Sequence, residues 1–217
     1  MIQKTSETHI NTSNFLELAK QGNTKWWTWT VGIILILLGW QGIGGIPFIV
    51  ACDELVLDCV NFNNEGFLQV VEYMFSNWMF VVGIISIFLV ARIVHKRRIT
   101  QMITTRVSID YDRMLYAMGI GLLIFTLTTI LSFLSGETLE LNKPQLSVFI
   151  SFVLLAIILT PVQATFEEIF FRGYILQGLA LRTKNIILLC LINGALFMIP
   201  HLLNPEAMEY GFRQYIV

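Results

Sequence analysis

The sequence predicts an all-α fold, a polytopic integral membrane bundle of about six transmembrane helices. Three observations predict it. Hydrophobic residues make up 55% of the 217-residue chain and charged residues 13%, with a mean hydropathy of +0.69. Apolar runs recur that are long enough to cross a hydrocarbon core of about 30 Å, which takes about 20 helical residues. The basic residues between the runs are also segregated from the acidic ones, as membrane topology requires. No internal repeat or low-complexity tract interrupts this pattern. The net charge of −1 carries no argument for nucleic acid, and no basic patch with interleaved aromatics appears. The expected partners are the lipid bilayer and a peptide or membrane-protein substrate, with no nucleic acid.

Residues 1–28 read as a polar cytoplasmic tail, without the apolar stretch and small-residue cleavage site of a signal peptide. The first span is expected over about Trp29–Val50, with Trp26, Trp27 and Trp29 as an interfacial belt. Its glycine-rich second half suits close helix packing. The loop of about Ala51–Phe75 carries Asp53, Glu54, Asp58, Glu65 and Glu72 and no Lys or Arg. Cys52 and Cys59 lie in it; two free thiols are the expectation, with a disulfide the alternative if the loop lies outside the cell. The second span, about Ser76–Val94, leads into His95-Lys96-Arg97-Arg98. The positive-inside rule makes that turn cytoplasmic, the acidic loop external and the N-terminus cytoplasmic.

The third span is expected over about Met114–Leu134, closing an N-terminal membrane region of residues 29–145. From Leu146 to Leu181 the apolar pattern hardly pauses. One straight helix of that length would measure about 54 Å, too long for the core, so a break is expected at Thr160-Pro161. That yields a fourth span to Thr160, a fifth over Val162–Leu181 and a sixth over Ile186–Leu203. The break puts Glu167 near the cytoplasmic face and Arg182-Thr183-Lys184 outside. If Pro161 merely kinks one span, the basic turn is cytoplasmic instead.

Within TFEEIFFRGYILQGLALR (Thr165–Arg182), Glu167, Glu168 and Arg172 interrupt the apolar pattern. At a helix centre in hydrocarbon each costs about 2.5–3.5 kcal/mol, or about 8–10 together. The neighbouring Ile169, Phe170, Phe171, Ile175 and Leu176 return only about 2–3 kcal/mol in total. Glu168 and Arg172 share a helix face and are expected to form an ion pair. Glu167 lies about 140° away from that arginine and needs another reason to be there. An intramembrane acid without a structural partner is a functional-site hypothesis. The turn between the fifth and sixth spans is short, so the two are antiparallel. Glu167 and His201 lie at similar distances from it and should meet at one depth, with Phe197 one turn before His201 on the same face.

A carboxylate and an imidazole in a dry cavity suit general-base hydrolysis: the acid takes a proton from water and the imidazole holds the water or the developing oxyanion. A divalent metal such as zinc, held by Glu167 and His201, is the alternative, although zinc wants a third protein ligand and no HExxH supplies one. Each residue also has a plain structural reading. A lone EExxxR fits a helix end whose charges snorkel to water. A lone histidine at a span end fits a bond to a backbone carbonyl, and Asn193 fits a helix–helix hydrogen bond. His95 is assigned to the basic loop.

The residues resemble the CPBP family, the CAAX-processing and bacteriocin-processing intramembrane endopeptidases. Its EExxxR motif is matched by Glu167, Glu168 and Arg172, and its FxxxH motif by Phe197 and His201. The resemblance covers about Leu146–Pro205 and marks residues 146–217 as a protease-like region. It implies a membrane protease, metallo- or glutamate-type, in which Glu167 activates water and His201 positions it or binds the oxyanion. Glu168 with Arg172 would hold the helix geometry, and Phe197 would shape the pocket. Bacterial members are linked to bacteriocin maturation or self-immunity, which implies a bacterial plasma membrane and leaves a non-catalytic immunity or interaction protein as the other reading. The family's third motif, HxxxN or HxxxD, has no counterpart after His201. A truncated protease or an incomplete member is therefore expected, with little activity in the 217 residues alone.

Overall fold

The computed structural model describes residues 15–54, 65–106, 109–135 and 145–202. Every element among them is helical. Four helices are long and apolar enough to cross a membrane: α1 (Trp26–Glu54), α2 (Phe67–Val94), α3 (Tyr111–Leu134) and α4 (Leu146–Ala180). A shorter apolar helix, α5 (Ile186–His201), follows. Length and apolarity are those of an integral membrane protein.

The break at Pro161 does not occur. Proline removes one backbone donor and crowds the preceding turn, yet α4 runs through it for 35 residues. Neighbouring helices can hold such a site in a bundle. Here the Tyr73 hydroxyl from α2 lies 2.7 Å from Thr160 Oγ1, and the Tyr73 ring packs 4.8 Å from Phe152. At about 1.5 Å per residue α4 is about 52 Å long, more than a hydrocarbon core is thick, so it must tilt or project beyond it. Its last turns meet polar chain. A short 3-10 helix, Phe15–Lys20, and the turn Ile99–Met102 pack there, and Arg97 Nη2 donates to Gln177 Oε1 at 2.8 Å. The turn carrying Arg182 and Lys184 therefore lies at the same end of the bundle as Lys96, Arg97 and Arg98. This reverses the arrangement expected from a broken helix, and it puts the basic residues together.

The core lies where α4 crosses α1 and α2. Phe166, Ile169, Phe170, Phe171, Tyr174 and Ile175 are buried against Trp29, Ile36 and Trp40 of α1 and Ile87, Val90 and Ala91 of α2. Trp26 and Trp27 are exposed, as interfacial residues are, but Trp29 is only 6% exposed and belongs to the core rather than to a belt. By contrast, α3 buries none of its residues. Residues 15–20, expected within a polar tail, bury Leu18 and Ala19 against the end of α4.

Cys52 is disulfide-bonded and Cys190 is free, which corrects the expectation of two free thiols in the acidic loop. The expected partner, Cys59, lies outside the described residues. An oxidised cysteine belongs with an oxidising compartment. Maleimide labelling of the denatured protein should leave the Cys52 peptide unmodified until reductant is added, while the Cys190 peptide labels without it. Labelling of Cys52 without reductant would contradict this.

Candidate functional site

Glu167 is the last residue of a regular α-helical stretch. From Glu168 to Ile175, α4 winds as a π-helix before it resumes the α form at Leu176. Such segments recur at functional sites because they redirect side chains without ending the helix. α1 has one as well, Leu38–Ile43, and the two segments meet: the Trp40 ring lies 4.7 Å from Phe166 and 6.5 Å from Phe170. Between them is a cavity of about 270 Å³. Glu167, Gln163 and Phe171 of α4, Trp40 and Gln41 of α1 and His201 of α5 contribute to its wall. Met79 and Phe80 of α2 close another side.

The two carboxylates have different settings. Glu168 pairs with Arg172 at 3.2 Å, on a face where both side chains are more than half exposed. The pair spans the first turn of the π segment, and its long side chains can reach toward the basic end. Glu167 turns to the cavity and is half-buried. Its Oε1 accepts a hydrogen bond from Gln163 Nε2 at 3.1 Å, one turn earlier on the same helix. A side-chain amide holds a carboxylate's orientation without neutralising its charge.

The His201 Nδ1–H donates to the Phe197 carbonyl at 2.8 Å, which in the neutral ring puts the lone pair on Nε2. The Phe197 ring packs against His201 at 4.6 Å and edge-on against Phe171 at 5.1 Å, so it links the imidazole to α4. The plain reading of His201, a bond to a backbone carbonyl, and its place in the cavity wall are thus both present. The expected hydrogen bond of Asn193 is absent among the described residues, where its Oδ1 is buried without a partner. Among the described residues, no three His, Cys, Asp or Glu side chains converge to hold a metal. Glu167 and His201 alone do not fit zinc's usual three protein ligands, and no step below is routed through a metal.

Depth follows from the helices. The Tyr174 ring packs 4.9 Å from Trp29 near the start of α1, and Glu167 is two turns further in, about 10 Å along α4. The cavity is therefore well inside the bundle, not at the mouth that a broken fourth helix would give.

Sequence reasoning missed a second polar cluster, at the basic end. Lys96 adopts a left-handed backbone (φ 54°), and the chain turns there so that His95 and Arg97 both point inward while Lys96 stays exposed. His95 is fully buried; its Nδ1–H donates to the Asn23 carbonyl at 3.1 Å, and its Nε2 accepts from the Tyr174 hydroxyl at 2.7 Å. His95 does lie in the basic loop, but its ring is buried in the fold. Burial lowers the His95 pKa below its ordinary value, the Asn23 bond opposes this, and the Arg97 charge adds to it. Burial likewise brings Arg97 down to about 10. A histidine held neutral in the fold binds protons more readily when unfolded. Its contribution to stability is complete above the ordinary value of 6.5 and is lost as pH falls from there toward the folded pKa. The thermal midpoint of purified protein should drop on acidification through this window, and less steeply in His95→Gln; equal slopes would contradict the assignment.

The fold and cavity define the class: a polytopic helical membrane protein with an acid and an imidazole on one interhelical pocket. Residues 147–217 match the model of the family described as type II CAAX prenyl endopeptidase Rce1-like. The chain is also similar to the uncharacterized protein YyaK of Bacillus subtilis (strain 168), 28% identical over 192 residues, which is 86% of this chain. The chain spans 64% of the length of that relative. No solved structure matches it.

Proposed function

We propose that the chain is the core of an intramembrane endopeptidase that hydrolyses a peptide bond of a membrane-associated substrate. Glu167 takes a proton from a water in the cavity, and the resulting hydroxide adds to the scissile carbonyl carbon. With its Nδ1–H committed to the Phe197 carbonyl, His201 positions that water by accepting a hydrogen bond at Nε2. The protonated Glu167 then gives its proton to the leaving nitrogen as the C–N bond breaks, releasing an acid and an amine. Gln163 keeps the carboxylate aimed at the cavity, and Phe197 holds the imidazole against α4. The observation that carries this reading is the shared cavity: the acid without an arginine faces it together with the histidine. The family's name adds prenylated C-terminal peptides as a substrate class to try. With Lys96, Arg97, Arg98, Arg182 and Lys184 at one end, the positive-inside rule turns that end to the cytoplasm of a bacterial plasma membrane.

The test is cleavage by the full-length protein in nanodiscs. Mixed prenylated and unprenylated apolar peptides serve as substrates, and mass spectrometry reads the products. Cleavage lost in both Glu167→Gln and His201→Ala, with membrane insertion unchanged, supports the reading. Cleavage retained in either rejects that residue's role, and a partner-protecting activity that survives both would favour an immunity protein instead.

A further inference from the structure

Gln41 is a polar residue of the cavity wall that lies outside both motifs. It sits in the π-helical segment Leu38–Ile43, inside an apolar helix of 29 residues, and its side chain is exposed toward the cavity it lines with Glu167 and His201. No side-chain hydrogen bond of Gln41 occurs among the described residues. A primary amide carries two donors and an acceptor, and leaving them unmatched in hydrocarbon is costly. Its counterpart across the cavity, Gln163, is already committed to Glu167. The π winding bears on this point: it changes the angular position of residue 41 relative to a regular helix and puts a polar group beside Trp40 on the site.

We propose that Gln41 is a substrate-binding residue: its side-chain amide hydrogen-bonds the backbone of the extended peptide that lies across Glu167. Donor and acceptor on one planar group match the C=O and N–H of a peptide unit, as one strand matches another. Such a contact recognises peptide backbone rather than any side chain. In an apolar cavity it also provides the polar partner that an extended segment needs once it leaves water. The inference rests on the endopeptidase reading and names how that site holds its substrate.

Gln41→Leu and Gln41→Met remove the amide at nearly constant volume. The probe is an internally quenched apolar peptide carrying an S-prenyl cysteine fourth from its C-terminus, with an unprenylated copy, assayed with the full-length protein in nanodiscs. Both variants should raise KM about tenfold and change kcat little, with the thermal midpoint unchanged. Backbone N-methylation should be scanned one position at a time around the cleaved bond. In the wild type one position should raise KM by a similar factor, and in Gln41→Leu that penalty should vanish. Unchanged KM in both variants, or an N-methyl penalty that persists in Gln41→Leu, overturns the assignment while Glu167-dependent cleavage still stands. No cleavage of either peptide, or cleavage indifferent to Glu167→Gln, overturns the endopeptidase reading, and this inference with it, before any Gln41 variant is made.

Discussion

Glu167→Gln is expected to lower peptide cleavage by the full-length protein by about a thousandfold or more, and Glu168→Gln far less. Removing a general base costs about 10²–10⁴-fold, and glutamine keeps the shape of the side chain while losing the basic oxygen. The adjacent substitution is the control. Glu168 lies on an exposed face with its oxygen 3.2 Å from Arg172, so its loss disturbs an i,i+4 ion pair and not the cavity. An exposed pair contributes modestly, and its removal should appear as a small fall in stability. A steep loss in Glu168→Gln with little change in Glu167→Gln would exchange the two roles. Phe197→Ala should fall between them, about tenfold down, because the imidazole would keep its carbonyl partner but lose the ring that holds it to Phe171.

The second large effect is expected at Gly83, on α2. The ring of Phe166 lies so close to this backbone that a Cβ would come within 2.5 Å of one ring carbon and 2.7 Å of the next. Phe166 is fully buried and packs against Trp40, Phe80 and Phe170, and it precedes the catalytic candidate by one residue. Gly83→Val must displace that ring, and the ring cannot move without moving Glu167 or the cavity wall. Overpacking of this kind costs about 1–3 kcal/mol. A lower thermal midpoint and a loss of cleavage together are the expected outcome. A variant of unchanged stability and activity would mean that the α2–α4 approach is looser than described.

Which parts of this were legible in the sequence depends on whether local spacing carried them. Glu168 and Arg172 are four apart, and a helix brings them together whatever surrounds it. Glu167 and His201 flank one short turn at similar distances, so an antiparallel pair sets them at one depth; here they line one cavity. Gln163 and Gln41 were missed: each is an amide on an apolar helix, and only the packing of α1 against α4 shows that both face the cavity.

What failed depended on contacts distant in sequence. Whether Pro161 breaks a helix is decided by what packs beside it, and Tyr73, 87 residues away, holds Thr160 in place. The inward turn of His95 and Arg97 depends on Asn23, Tyr174 and Gln177, and nothing in the run HKRR distinguishes a buried basic residue from a solvated one. Trp29 resembles its two exposed neighbours until His95 is found packed against it, ring centres 4.4 Å apart.

The claim on which all of this rests is that the Glu167 and His201 side chains meet across one cavity within the membrane. Cysteines placed at both positions, in a Cys190→Ser background and in native membranes, test it most directly with a short thiol-reactive crosslinker. The 167–201 pair should link within one chain and the 168–201 pair should not. A link through position 168 with none through 167 would show that the acid assigned to the cavity faces the lipid.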